Sequence, residues 1–567
     1  MHILSFVIGI LSGLAAVVLK STIHYTHHFL THGFKEGFSY TYLAYPIIGI
    51  TLTVLFVRYH VKDKIGHGVS RILYALSKNN GRLKAHNNYS SIVASTFTIG
   101  FGGSVGAEAP IVLTGASIGS TIAHYFRLNF KSVALLLSCG AAGAIGGIFK
   151  APIAGMVFTL EVLMIDLTLN SIVPLLIASV TGATVAYFLM GEGVVLSVIN
   201  TQPFGLNNIP FYILLGLLCG IVSFYFTRTT MNIESLAKKI KSTFLKILLG
   251  GLMLAGLIFL FPPLYGEGTQ TLQSLLNGST SGLPQDIIFK FVLQNKYYIL
   301  IYLGLIILLK VVAMAITTGS GGVGGIFGPT LFVGGVTGYW LSDFINTLGF
   351  VKLPEGNFAL VGMAGLMAGV MHAPLTAIFL IAEITGGYSL FIPLMITSTI
   401  AYITILYFTK HSIYTHRLAE RGELLTHHKD EVVLTLMKLD SVIEKDFLSV
   451  NVEDSLGELV KVVAKSKRNI FPVINNENEL VGIVLLDNIR ETMFQTSRYN
   501  EVFVSDVMVS PPEIVNLTDT MDGVMKKFNT SGAWNLPVLK DGKYIGFVSK
   551  SKIFNAYRDL LVQVSEY

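Results

Sequence analysis

The chain has 567 residues, 52% of them hydrophobic and 13% charged, with a formal net charge of +6 and a mean hydropathy of +0.63. That composition argues for a polytopic membrane protein rather than a soluble enzyme, and so modest a positive charge gives no support to nucleic-acid binding. Charge is sparse up to about Tyr407 and dense after Lys410, so an apolar body precedes a soluble tail. The two cysteines, Cys139 and Cys219, both lie in apolar segments and imply no disulfide framework.

Met1 to Lys20 is apolar, without a basic flank or a small-residue cleavage site, and reads as a first membrane helix rather than a removed signal peptide. His24, His27, His28 and His32 follow it. On a continuing helix positions 24, 28 and 32 share a face, which suits either a zinc or pH site or simply a solvated helix end. No cysteine or carboxylate stands among them to complete a metal site. Residues 41–57 form a second apolar segment, and Arg58, Lys62, Lys64, Lys78, Arg82 and Lys84 mark the loops after it as cytoplasmic. Residues 90–125 and 131–149 read as membrane helices with small-residue faces suited to close packing.

Inside the first of these stretches lies Gly102-Gly103-Ser104-Val105-Gly106-Ala107-Glu108-Ala109-Pro110. Glu108 is the only Asp, Glu, Lys or Arg between Lys84 and Arg127. A lone carboxylate at membrane depth is costly and marks a candidate functional group. A Gly-rich turn that opens a helix also presents unpaired N–H groups, which attract anions or a carboxylate standing in for one.

The pattern recurs. Gly322-Val323-Gly324-Gly325-Ile326-Phe327-Gly328-Pro329 repeats it at an offset of 219 (329 − 110), with Phe327 in the place of Glu108. Gly140, Gly143, Gly147, Ala151, Pro152 and Glu161 recur as Gly362, Gly365, Gly369, Ala373, Pro374 and Glu383 at an offset of 222. Paired, Gly/Pro-interrupted segments in two halves of a membrane protein point to an ion site near the midplane. A feature present in both copies usually serves the fold, so Glu161 reads first as structural. Further spans fall at 171–190, 211–228, 245–261, 297–317, 357–371, 373–385 and 388–408. No charged residue occurs from Val311 to Ser342. Helix N-termini and backbone N–H groups can bind an anion there weakly enough to let it leave.

In the tail, Phe471-Pro472-Val473 and Gly482-Ile483-Val484 recur as Leu536-Pro537-Val538 and Gly546-Phe547-Val548. Alternating apolar strands and amphipathic helices predict a duplicated small α/β unit.

At these motifs the chain resembles the CLC family of chloride channels and proton/chloride antiporters. Gly106-Ala107-Glu108-Ala109-Pro110 is similar to its GREGP motif, and Gly325-Ile326-Phe327-Gly328-Pro329 to its GxFxP motif. The tail resembles a pair of CBS domains. The resemblance implies an all-α membrane domain of two inverted repeats over 1–425 (about 1–200 and 209–425), a linker at 426–436, and CBS domains at 437–494 and 502–561. It further implies passive conduction of chloride or a similar small anion through each subunit of a homodimer in the cell membrane, with the CBS pair cytoplasmic. It implies no resident cofactor, no metal and no enzymatic activity.

Residue by residue, Glu108 falls at the gate. Gly106, Ala107 and Glu108 fall at an outer anion site, and the Ile326 and Phe327 N–H groups with the Tyr414 hydroxyl at a central one. Gly66-His67-Gly68-Val69-Ser70 resembles the GSGIP motif, with His67 in place of the anion-binding serine and Ser70 in place of the proline. Either the His67 imidazole donates to the anion or the backbone alone serves. Antiporters of the family usually carry a second, proton-transferring glutamate after the position of Glu161. Val162 stands there, which favours passive conduction, and a proton-coupled chloride or fluoride antiporter is the alternative. CBS pairs in many proteins bind adenine nucleotides. The ribose-contact positions are Leu485 and Asn488 in one copy and Ser549 and Lys552 in the other, so neither copy is complete.

Overall fold

In a computed structural model the described residues are 1–31, 40–63, 65, 68–164, 168–191, 193, 196, 202–279, 296–349, 351–420, 437 and 439–565. They form two compact units, Met1–Leu424 and Leu425–Tyr567.

Unit one is helical throughout. Its helices are α1 (His2–Thr31), α2 (Tyr45–Phe56), α3 (Gly68–Lys78), α4 (Asn87–Gly100), α5 (Glu108–Tyr125), α6 (Phe130–Phe149), α7 (Pro152–Glu161), α8 (Leu169–Met190) and α9 (Ile209–Lys239). There follow α10 (Thr243–Leu260), α11 (Thr269–Leu276), α12 (Lys296–Gly319), α13 (Phe327–Leu348), α14 (Glu355–Met371), α15 (Pro374–Ile384), α16 (Phe391–Phe408) and α17 (Ile413–Glu420). Among the described residues, eight helical segments are long and apolar enough to cross a membrane. The predicted span 90–125 is two helices: α4 ends at Gly100, and the Gly-rich turn intervenes before α5 starts at Glu108. The span predicted at 211–228 extends to Lys239.

The repeat seen in the sequence is a repeat of contacts. A Cβ on Gly115 would collide with the carbonyl of Gly140, and one on Gly334 with the carbonyl of Gly362. Gly119 stands against the Leu136 carbonyl as Gly338 does against that of Phe358. Each pair of glycines lets α5 sit on α6, and α13 on α14, backbone to backbone.

Helices α7 and α15 both begin with Pro after Ala, at Ala151-Pro152 and Ala373-Pro374. Proline suits the first turn, but alanine offers no capping oxygen for the N–H groups that follow. The other repeat supplies it. Glu383 accepts from the N–H groups of Ile153 (3.0 Å) and Ala154 (2.8 Å). Glu161 accepts from those of Leu375 (2.9 Å) and Thr376 (2.7 Å), and from the Thr376 hydroxyl (2.7 Å). A reciprocal exchange of this kind is what a local two-fold relation between the halves produces. Both glutamates therefore serve the helix junction, as their recurrence predicts.

Asp63 organises the turn between α2 and α3. Its carboxylate meets Arg71 (2.5 Å), Lys84 (3.1 Å) and His86 (3.1 Å). Burial alone would raise this carboxyl, but the hydrogen bonds from Arg71, Lys84 and His86 outweigh it and hold it well below the usual carboxylate range. A depressed folded-state value stabilises the fold above the unfolded value, near 3.9, and that contribution fades as pH falls toward the folded one. Asp63→Asn should therefore melt below wild type at neutral pH. The gap in melting temperature should shrink progressively below about pH 4; a gap independent of pH would refute the assignment.

Unit two holds the duplicated tail. The strands are β1 (Ile443–Glu444), β2 (Val450–Asn451), β3 (Ile470–Ile474), β4 (Leu480–Leu485), β5 (Val515–Asn516), β6 (Asn535–Lys540) and β7 (Lys543–Ser549). One sheet has the order β2-β3-β4 and the other β1-β7-β6-β5. Pro472 pairs with Ile483, and Pro537 with Phe547, at matching registers.

Candidate functional site

The two Gly-rich turns meet. The Gly106 N–H donates to the Gly325 carbonyl (2.9 Å), and the Gly325 N–H donates back to that of Gly106 (2.6 Å). This bridge sets the N-terminus of α5 against that of α13, so two helix ends converge on one point in the interior. Converging N–H groups make an anion site without a full positive charge. A side chain at 106 would strike the Glu108 carboxylate, which is a physical reason for glycine there.

Glu108 is 6% exposed. Its Oε2 accepts from the Gly328 N–H at 3.3 Å. The gate candidate thus reaches across from the first repeat to the helix terminus of the second. Phe327, its counterpart, is buried and stacked on Phe149 at 5.2 Å between ring centroids.

Below the bridge lies a cavity of about 10 Å³, lined by Gly68, Ser70, Ala109, Gly324, Gly325, Ile326, Ile413 and Tyr414. That is the scale of one water-sized occupant. Ile326 and Tyr414, assigned from sequence to a central site, line it together, whereas Phe327 is not among its walls. Ser70, the departure from the motif's proline, donates its hydroxyl to the Tyr414 carbonyl at 2.9 Å. This bond ties α3 to α17 beside the cavity. His67 lies outside the described residues.

Two of the outer N–H groups predicted from sequence, those of Gly106 and Ala107, have protein partners in this conformation. That of Gly106 belongs to the bridge, and that of Ala107 donates to Glu267 Oε1 at 3.1 Å. Sequence reasoning missed Glu267. It stands in Gly266-Glu267-Gly268, where both glycines have positive φ (57° and 76°) and fold the chain back tightly. Lys310, fully buried on α12, fixes that turn by donating to the carbonyls of Gly266 (2.7 Å) and Leu264 (3.3 Å). Glu267 acts electrostatically on Glu108, and Lys20 on both carboxylates. A carboxylate between two glycines, and a single lysine inside the apolar run 297–317, were the available signals.

Of the histidines after the first span, His24, His27 and His28 lie on α1, and His32 is outside the described residues. The His24 and His28 rings are 6.3 Å apart. Among the described residues no three His, Cys, Asp or Glu side chains form a metal-binding group. Val162 is 4% exposed beside the end of α7. In the tail, the Ser549 hydroxyl donates to Glu444 (2.5 Å), which also pairs with Arg468 (2.6 Å). The one hydroxyl at a ribose-contact position is therefore engaged internally.

Known proteins resemble this chain over most of its length. A ClcB-like protein from Ralstonia nicotianae, named as a chloride channel protein, is 28% identical over 388 residues, covering 67% of this chain and 86% of that one. The H(+)/Cl(-) exchange transporter ClcA of Vibrio cholerae is 28% identical over 415 residues, covering 70% of this chain and 84% of that one. The crystal structure of a slow cyanobacterial Cl-/H+ antiporter shares the fold with a TM-score of 0.62 at 22% identity, covering 74% of this chain and 97% of that one. The CBS domain model matches residues 439–494 and 504–559. The voltage gated chloride channel model matches residues 48–405, and the chain belongs to that family, a CLC-type multi-pass membrane protein with two CBS domains.

Proposed function

We propose that the protein exchanges chloride or a similar small anion for protons, with Glu108 as the group that serves both. The observation that carries the reading is the Glu108 carboxylate seated on the Gly328 N–H at the seam of the two repeats. Ionised, it occupies the outer anion position; protonated or displaced, it leaves that position to the anion. The central site is the cavity between Ile326 and Tyr414, with Phe327 beside it at the start of α13. At the outer site Gly328 offers its N–H group, Gly106 holds the bridge, and the Ala107 N–H is taken by Glu267. Glu267 keeps the Ala107 N–H from the anion, so it is the second carboxylate of the gate.

Exchange rather than passive conduction is supported by the relative named as an H(+)/Cl(-) exchange transporter. Passive conduction, the expectation drawn from Val162, stays as the second reading because that position offers no titratable group. We further propose that two copies pair in the cell membrane with the CBS domains on the cytoplasmic side. Purified protein in sealed vesicles decides between the two transport readings. A chloride gradient should drive uphill proton movement, and the reversal potential should shift with the proton gradient. Chloride flux with no proton movement would leave the passive reading standing, and replacing chloride by fluoride in the same vesicles identifies the preferred anion.

A further inference from the structure

Away from the pore, a second cavity of about 440 Å³ opens where α9 and α16 run side by side toward one membrane face. Its polar wall carries Arg228, Lys410, His411 and His416, and among the described residues no carboxylate lines it. Its apolar wall is Phe224, Met231 and Phe408, with Phe224 and Phe408 stacked at 4.9 Å. The Arg228 guanidinium lies 5.7 Å from the Phe224 ring centroid, which orients it at the cavity. Arg228 and Lys410 are both exposed. Among the described residues, two cations with His411 beside them form a receptor for a compact, multiply accepting anion.

The cavity's apolar side says where that anion comes from. Ile221 on α9 and Ile403 and Tyr407 on α16 are exposed large apolar residues on the same two helices, one to two turns nearer the membrane interior. A basic cluster joined to an apolar strip matches a phospholipid, phosphate at the cluster and acyl chain along the strip. The basic residues Lys238, Lys239 and Lys241 follow on the same face of the membrane, the side at which positive charge accumulates.

We infer that this cavity binds the phosphate of an anionic phospholipid. The bound phosphate bridges Arg228 on α9 to Lys410 and His411 in the link between α16 and α17. That link leads directly to Tyr414, whose carbonyl is tied to Ser70 at the central cavity. Lipid at this point therefore steadies α17 and adjusts the inner mouth of the pore.

The test uses the full chain reconstituted with phosphatidylcholine and phosphatidic acid, then mass spectrometry of the extracted protein to count retained lipid. Wild type should retain phosphatidic acid, and Arg228→Gln/Lys410→Gln should retain roughly tenfold less, as expected for losing two charge-assisted contacts. Both side chains are exposed, so the double variant should fold; unchanged elution and melting confirm it. Equal retention by the two proteins overturns the site. Anion flux should differ between phosphatidic acid-containing and pure phosphatidylcholine vesicles for wild type and not for the variant. If inorganic phosphate in pure phosphatidylcholine vesicles gives the same flux change, the lipid source is overturned.

Discussion

Glu108→Gln should open the pathway to anions and uncouple it from protons. Glutamine keeps the size of the side chain but cannot ionise, so it cannot hold the outer position as a carboxylate does. The Gly328 N–H then faces the anion instead of Glu108 Oε2. A side chain that shuttles protons contributes on the scale of 10²–10⁴ in proton-transfer rate. Proton movement driven by a chloride gradient should accordingly fall by at least about 100-fold, while chloride flux persists and no longer responds to pH. Stopped-flow anion efflux and a pH electrode on the same vesicles read both quantities. Retained proton coupling in Glu108→Gln would remove Glu108 from the mechanism.

Glu267→Gln should tighten anion binding at the outer site. In the structure Glu267 holds the Ala107 N–H at 3.1 Å and places a second carboxylate beside Glu108; when ionised, it adds a negative charge there. A unit charge a few ångströms away, at the effective dielectric of ~20 that suits buried sites, is worth on the order of 1–3 kcal/mol. Apparent anion affinity should therefore rise about tenfold or more when that charge is removed. Lys310 complicates the single variant, because it is fully buried and interacts with Glu267. Removing one partner of a buried charge pair leaves the other uncompensated and can cost about 3–5 kcal/mol. The pair Glu267→Gln/Lys310→Met removes both charges and keeps the test independent of that penalty. Calorimetric titration of chloride against each protein measures the effect, and an affinity equal to wild type in both would mean that Glu267 does not act at the anion site.

The two transport readings differ by one position in the sequence. Val162 deprives the inner side of the glutamate that the family's antiporters usually carry. The neighbouring Glu161 does not replace it freely, because three donors from α15 hold its carboxylate. If exchange occurs, the inner proton path must use water or a group other than this pair. Glu267 lies beside Glu108 and does not supply that inner route.

Much of this was legible because the chain says it twice. Glycine and proline at offsets of 219 and 222 announced two copies of one unit. Glycine is informative where backbones touch, and each pairing of α5 with α6 and of α13 with α14 has a carbonyl where a Cβ would go. The lone charge at Glu108 stood out because an ionised group in an apolar stretch is rare on energetic grounds. The same period-based reading found the tail's two sheets, since alternation and turn residues are local signals.

The tertiary structure decided what no local pattern carries. A hydropathy run from 90 to 125 does not reveal a break at Gly100, because a Gly-rich turn buried among helices is as apolar as they are. Glu161 and Glu383 each cap a helix more than 200 residues away, and only the folded chain sets them there. Glu267 is set beside Ala107 by a turn with two positive-φ glycines, and Lys310, from a different element, fixes that turn. Composition and periodicity fixed the membrane body, its duplication and its one conspicuous carboxylate. Packing alone chose which backbone N–H groups were already satisfied, because hydrogen-bond pairing across distant segments depends on where helices end in space and not on what each residue prefers.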